Sequence, residues 1–246
     1  MTTRKMAEVQ SSTLARMLAN TRKIGGIAGI FFLILLFIGI FGQGEAPMSG
    51  DSIEKIRSFW TDGDGTNRYL VFDWLIGVAF LLGFLPFLSA LRSVLATGDP
   101  SGGTWARLAF VGGVLFLIAG ATASGAWGAL AFGQGRELDD ATLRLAMYQN
   151  NYGFTSGNVV IPVFLVPASL IILASGVLWK WLGYVGLAAA LLGLIGALGV
   201  VFNDEENLLS LLGLLGSVLM AVFVLGSSIG MIRSSERETT GSLSAL

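Results

Sequence analysis

Apolar residues along this chain gather into six long runs separated by polar breaks, at about 24–41, 69–91, 108–132, 158–178, 181–202 and 208–232. Each run is roughly 18 to 25 residues, which at about 1.5 Å per residue matches a hydrocarbon core about 30 Å thick. Lipid offers the backbone no hydrogen-bond partners, so runs of this length hide their amides only as helices. The pattern predicts an all-α, polytopic bundle of six transmembrane spans, with a basic segment at 1–23 before it and a polar tail at 233–246 after it. The first run exceeds the h-region of a signal peptide, about 7–15 residues, and a long polar stretch precedes it, so it reads as an uncleaved span.

The breaks at 42–68 and 133–157 are long. Structureless connections of that length are uncommon, so each is expected to hold a short amphipathic helix. In 51–60 (DSIEKIRSFW), Ile53, Ile56, Phe59 and Trp60 share a face, with Asp51 expected as N-cap and Glu54 three residues on. In 137–152, Leu138, Leu145, Tyr148 and Tyr152 form a comparable stripe. Both helices are expected at the outer interface, capping the bundle or resting on lipid. Residues 7–20 carry a weaker pattern of the same kind.

Charge orients the bundle. Arg4, Lys5, Arg16, Arg22 and Lys23 precede the first span, Arg92 and Arg107 separate spans two and three, Lys180 separates four and five, and Arg233 and Arg237 follow span six. The alternate breaks hold Lys55, Arg57, Arg68, Arg136 and Arg144 amid the acids Glu45, Asp51, Glu54, Asp62, Asp64, Glu137, Asp139, Asp140 and Asp204–Glu206. The positive-inside bias puts the basic face, and with it both termini, in the cytoplasm of a bacterial inner membrane. Trp105, Trp179 and Trp181 mark the inner boundary; Trp60 and Trp74 sit near the outer one, and Trp127 lies deeper, as packing.

Composition agrees and excludes. The chain is 54% hydrophobic and 13% charged, about half the charge a water-facing surface needs, with a mean hydropathy of +0.75. It has no Cys and no His, which rules out thiolate and imidazole metal sites, haem held by its own His, Cys nucleophiles and Ser-His-Asp triads. Neither a P-loop nor a Rossmann glycine pattern occurs. No cofactor is expected, and the basic N-terminal segment is too sparse for nucleic acid; it suits anionic lipid.

Three groups of residues remain as candidates. Gly25 and Gly29, Gly226 and Gly230, and the ladder Gly120, Ser124 and Gly128 have the spacing that lets helix backbones approach, within the bundle or between chains. Asp73 is the one acid placed inside a span, with Arg68 near enough in sequence to pair with it; it is either an interface pair or a site residue. The stretch 148–158 (YQNNYGFTSGN) leads into span four and offers Asn150, Asn151 and Asn158, with Pro162 and Pro167 following. It is either a polar loop running into a kinked helix or, with Asp73, a polar pocket at the outer end.

At 72–94 (FDWLIGVAFLLGFLPFLSALRSV) and 181–198 (WLGYVGLAAALLGLIGAL), the chain resembles uncharacterised bacterial multi-pass membrane proteins, a likeness that implies the bundle and no activity. Expected above all is an accessory or structural subunit of a larger membrane complex, not an enzyme, with lipids and other membrane chains or further copies of itself as partners. The alternative is a small-molecule or lipid transporter or binding protein using Asp73, Asn150, Asn151 and Asn158. A membrane enzyme using the outer carboxylates ranks last.

Overall fold

A computed structural model describes residues 2–133, 138–199 and 208–243, with side chains in 20–62, 66–133, 138–199 and 208–236. Among these residues the chain is helical and has no strand: α1 Thr2–Gln43, α2 Ile53–Thr61, α3 Gly63–Val78, α4 Leu85–Gly98, α5 Thr104–Gly133, α6 Asp140–Gly157, α7 Ile161–Ser175, α8 Lys180–Ala197 and α9 Leu208–Leu243. A π turn at Ala79–Phe84 joins α3 to α4, and a 3₁₀ turn at Asn158–Val160 joins α6 to α7. Six helices are long and apolar enough to cross a membrane: Asn20–Gln43, Thr66–Gly98, Thr104–Gly133, Asp140–Ser175, Lys180–Ala197 and Leu208–Glu236.

Both irregular turns stand just ahead of a proline. Pro162 has no N–H to give the Asn158 carbonyl four residues back, and the Ile161 N–H takes that carbonyl instead, tightening the turn to 3₁₀. Ahead of Pro86 the helix widens, and the Leu85 N–H reaches the Phe80 carbonyl five residues back. The Pro162 break therefore frees no carbonyl at Asn158 for a cavity.

Each span packs on the next in sequence, and α9 closes on α1, so the spans form a ring. Glycine sets the closest approaches. Gly196 meets Gly213 and Gly193 meets Gly216 where α8 crosses α9. Gly112 of α5 lies on the backbone of Val163 and Phe164, covering the Val163 carbonyl that Pro167 leaves without its helical donor. Gly112 against Phe164, Ala119 against Gly157 and Ala123 against Gly153 share one antiparallel register, so α5 runs along α6 and α7 together. The second outer segment is thus no separate interfacial helix: it starts at Asp140 with Asp139 as N-cap and continues into the fourth span. Its buried face is Leu143, Met147 and Asn150, whereas Leu145, Tyr148 and Tyr152 of the expected stripe point outward.

The ring is filled by phenylalanine. Phe32 of α1 touches Phe80 and Phe84, Phe84 touches Phe87, Phe116 and Phe164, and Phe164 meets Phe223 of α9 edge-on at 5.9 Å. The rings of Phe32, Phe84, Phe87, Phe164 and Phe223 are fully buried. This is an apolar interior joining α1, α4, α5, α7 and α9.

Gly25 and Gly26 lie against Ala90 and Ile232, so the start of the first span, α4 and the later part of α9 share one end of the bundle. That end carries Lys23, Arg92, Arg107, Lys180 and Arg233 and is called the basic end below; α2 and the start of α6 mark the acidic end. At the basic end Asp99 organises the α4–α5 turn. Its carboxylate accepts from the Ser101 N–H at 2.9 Å, the Ser101 hydroxyl at 2.6 Å and the Ala106 N–H at 2.9 Å. Burial opposes its ionisation, but these hydrogen bonds outweigh it and hold the carboxyl below its ordinary value. Because the folded form is the stronger acid, this contribution is complete above the ordinary carboxylate value of 3.8 and fades as pH falls through the lower, folded one. Asp99→Ala is expected to cost about 1 kcal/mol at neutral pH and to remove that acid-side loss, as measured by unfolding in detergent at pH 7 and pH 3.

Candidate functional site

The acidic end is framed by the α1–α2 connection, α2 and the start of α6. α2 starts at Ser52, whose hydroxyl accepts from the Lys55 N–H at 3.3 Å; Ser52, not Asp51, is the N-cap. Asp51 instead accepts from the Met48 N–H at 2.8 Å and pairs with Lys55 at 2.8 Å, and these bonds hold its carboxyl below the usual range. Arg57 pairs with Asp140 at 2.6 Å, tying α2 to α6. Arg144 donates to the Ser49 carbonyl at 3.3 Å and the Asn151 amide donates to the Ser49 hydroxyl at 3.0 Å, strapping the α1–α2 connection to α6. Asp139, as N-cap of α6, accepts from the Thr142 N–H at 2.7 Å, which lowers its carboxyl.

Inside this frame Trp60 of α2, Tyr69 of α3 and Trp127 of α5 form a triangle of rings, with centroids 5.3, 5.8 and 5.7 Å apart. Ile56, Leu130, Leu143 and Met147 surround it. At such spacings the rings touch one another and form a packed plug. The Trp60 and Trp127 indole N–H groups and the Asn150 side-chain oxygen are buried without a hydrogen-bond partner. By the α5–α6 register Asn150 lies opposite Ala126, the residue before Trp127, and one turn beyond Met147 on the same buried face.

The residues anticipated for a pocket are not brought together. Asn150 is on the buried face of α6 with Leu143 and Met147, but Asn151 is spent on Ser49. Asn158 is eight residues from Asn150, about 12 Å along a helix, where its amide faces Gly213 of α9. Asp73 is half-buried one turn beyond Tyr69, near enough to interact with it electrostatically. Arg68 does not turn back to Asp73; its Nε donates to the Gly42 carbonyl at 2.9 Å and its guanidinium covers Gly44 at the end of α1.

The glycine motifs divide as well. Gly25 faces Ala90, Gly29 faces Ser228 and Phe87, Gly226 faces Leu182 and Trp181, and Gly230 faces Leu178, all within the chain. On the far half of α5 the situation is reversed: a Cβ added at Gly120, Gly125 or Gly128 would meet nothing within 4 Å. Gly120, Ser124 and Gly128 are half-buried, and the exposed row beside them is Ala121, Gly125 and Ala129, flanked by Thr122. The same segment of α5 thus turns Trp127 toward the plug and a strip of small residues outward. Spacing alone marked the ladder; which row would face outward depended on the register against α6.

No protein family, curated protein or solved structure matches the chain. Among the described residues no group of three or more His, Cys, Asp or Glu could hold a metal ion.

Proposed function

We propose that the chain is a structural, non-catalytic subunit of an assembly in a bacterial plasma membrane, and that a helix of a partner or of a second copy seats on the open row of α5. The observation that carries this reading is the empty space at Gly120, Gly125 and Gly128. A glycine inside a helix costs about 1 kcal/mol relative to alanine. At Gly112, Gly193, Gly196 and Gly216 that cost is offset by a close crossing of the chain's own helices. At Gly120, Gly125 and Gly128 no such crossing exists, and in hydrocarbon small residues favour association by letting another backbone come close. The phenylalanine interior supports the same reading, since it fills the ring where a transporter would need a passage.

Gly125→Leu tests it. The new side chain projects into open space, so the purified variant should unfold at the same temperature as the parent. In mild detergent the parent should run with a stoichiometric partner or as a defined oligomer, by native mass spectrometry, and the variant should lose at least nine-tenths of it. A parent that elutes as a lone monomer, or a variant that keeps its partner, defeats the proposal.

The proposed orientation puts the basic end in the cytoplasm. The sequence has no cysteine, so single cysteines report directly. Ser52→Cys should react with a membrane-impermeant thiol reagent in intact spheroplasts, and Ser101→Cys only after lysis; the opposite pattern inverts the bundle.

A second reading, a ligand site at the acidic end, is favoured by three buried polar groups without a partner, the Asn150 side-chain oxygen and the Trp60 and Trp127 indole N–H groups. Asn150→Leu separates the two. If the amide serves no ligand, replacing it by an apolar group of similar size is close to neutral. A small molecule that co-purifies with the parent and is lost from the variant would establish the second reading.

A further inference from the structure

Cations at the two ends of the bundle are treated differently. At the acidic end Lys55 and Arg57 have carboxylate partners, Arg68 is spent on the Gly42 carbonyl and Arg144 on the Ser49 carbonyl. At the basic end, Lys180 and Arg233 make no ion pair among the described residues. The acids near them are already engaged: Asp99 by Ser101 and Ala106, and Glu236 in an interaction of its own.

One corner of this end is organised further. Gly176 ends α7 in the left-handed conformation, at φ 67°, and the chain turns through Leu178 and Trp179 into α8. Trp179 and Trp181 stack with planes 17° apart and centroids at 6.3 Å. They are 38% and 47% exposed, so the apolar pair is offered outward. Arg233 of α9 lies with its guanidinium carbon 5.5 Å over the Trp179 ring. Stacking holds a guanidinium by its face and leaves its N–H edges for an oxyanion. Lys180, the first residue of α8, stands between the two indoles in sequence, its stem beside Gly176, and is exposed.

We propose that this corner is a headgroup site for an anionic phospholipid of the surrounding bilayer, with Arg233 and Lys180 taking the phosphate and the stacked indoles lying along the glycerol and upper acyl chain. Two cations without a carboxylate partner match the lipid's net negative charge, and paired indoles suit the boundary between headgroups and hydrocarbon. A soluble anion could use the cations but would gain nothing from the indoles. The lipid is therefore the occupant argued for.

The full chain, delipidated in mild detergent, is titrated with phosphatidylglycerol or phosphatidylcholine and read by native mass spectrometry. Each basic group near an anionic headgroup is worth about five-fold in affinity. Lys180→Gln with Arg233→Gln should weaken phosphatidylglycerol binding about 25-fold by the same rule and leave phosphatidylcholine unchanged. Lys55→Gln with Arg57→Gln, at the other end, should leave both lipids unaffected. Equal retention of phosphatidylglycerol by the Lys180/Arg233 variant, equal affinity of the parent for both lipids, or displacement of the lipid by millimolar inorganic phosphate would each overturn the proposal. Should the double variant fail to fold, the parent still decides. Brominated phosphatidylglycerol should quench its tryptophan emission more than brominated phosphatidylcholine does, and Trp179→Phe with Trp181→Phe should abolish the difference; equal quenching overturns it.

Discussion

Gly196→Ala is expected to destabilise the bundle by about 1–3 kcal/mol, at the upper end of that range, although it adds a single methyl group. The methyl would collide with the Gly213 Cα and stand 2.6 Å from the Gly213 nitrogen. Both are backbone atoms of α9, and a helix backbone cannot rotate aside as the tip of a side chain can. One turn away a methyl at Gly216 would lie 2.7 Å from the Gly193 nitrogen, so the crossing is two glycine layers deep and can move only as a unit. Relief must come from sliding α8 off α9, which opens the contacts that Phe223 and Leu182 make at the same crossing. Gly125→Ala is the matched control: it adds the same methyl to open space and, by helix propensity alone, should hold stability or raise it by up to about 1 kcal/mol. Unfolding of both variants in mixed micelles, followed by circular dichroism, checks the contrast. Equal behaviour of the two would mean that the α8–α9 backbones are not in contact.

The number and placement of the spans were legible because lipid fixes both the length of a run and the only structure it can adopt. Charge at the ends was legible for a related reason, since ionised groups are costly in hydrocarbon. Which face of each helix points inward was not legible. Lipid and protein core are equally apolar, so an outward stripe such as Leu145, Tyr148 and Tyr152 carries the same signature as a buried one. The same ambiguity hid the open row at Ala121, Gly125 and Ala129 behind the neighbouring ladder of Gly120, Ser124 and Gly128. Amide groups near one another in sequence suggested one pocket, but a helix separates Asn150 from Asn158 by about two turns. Asn151 was already committed to a hydroxyl 102 residues away. The plug was illegible as a unit because Trp60, Tyr69 and Trp127 come from three helices and meet only through tertiary packing.

That plug supports the other large expected effect. Trp60→Ala removes a side chain with no exposed surface from contact with Phe59, Tyr69 and Trp127, a change that costs about 3–5 kcal/mol where the surroundings cannot collapse. α2 is nine residues long, with Ile56 and Trp60 as its buried residues, and a helix so short has little stability of its own. The cost is therefore expected to appear as undocking of α2, leaving the rest of the bundle folded. Amide exchange should speed up at least a hundred-fold across Ile53–Thr61 and remain unchanged along α8 and the described core of α9. The Thr66 hydroxyl, which donates to the Trp60 carbonyl at 3.1 Å, links α2 to the start of α3, so protection there should fall too. Trp60→Phe keeps an aromatic ring and removes an indole N–H that has no partner, so it should cost much less than alanine. If alanine instead unfolded the whole bundle together, the acidic end would be part of one cooperative core rather than a cap resting on it. The Gly125→Leu test is independent of that outcome, because the open row lies on the opposite face of α5 from Trp127.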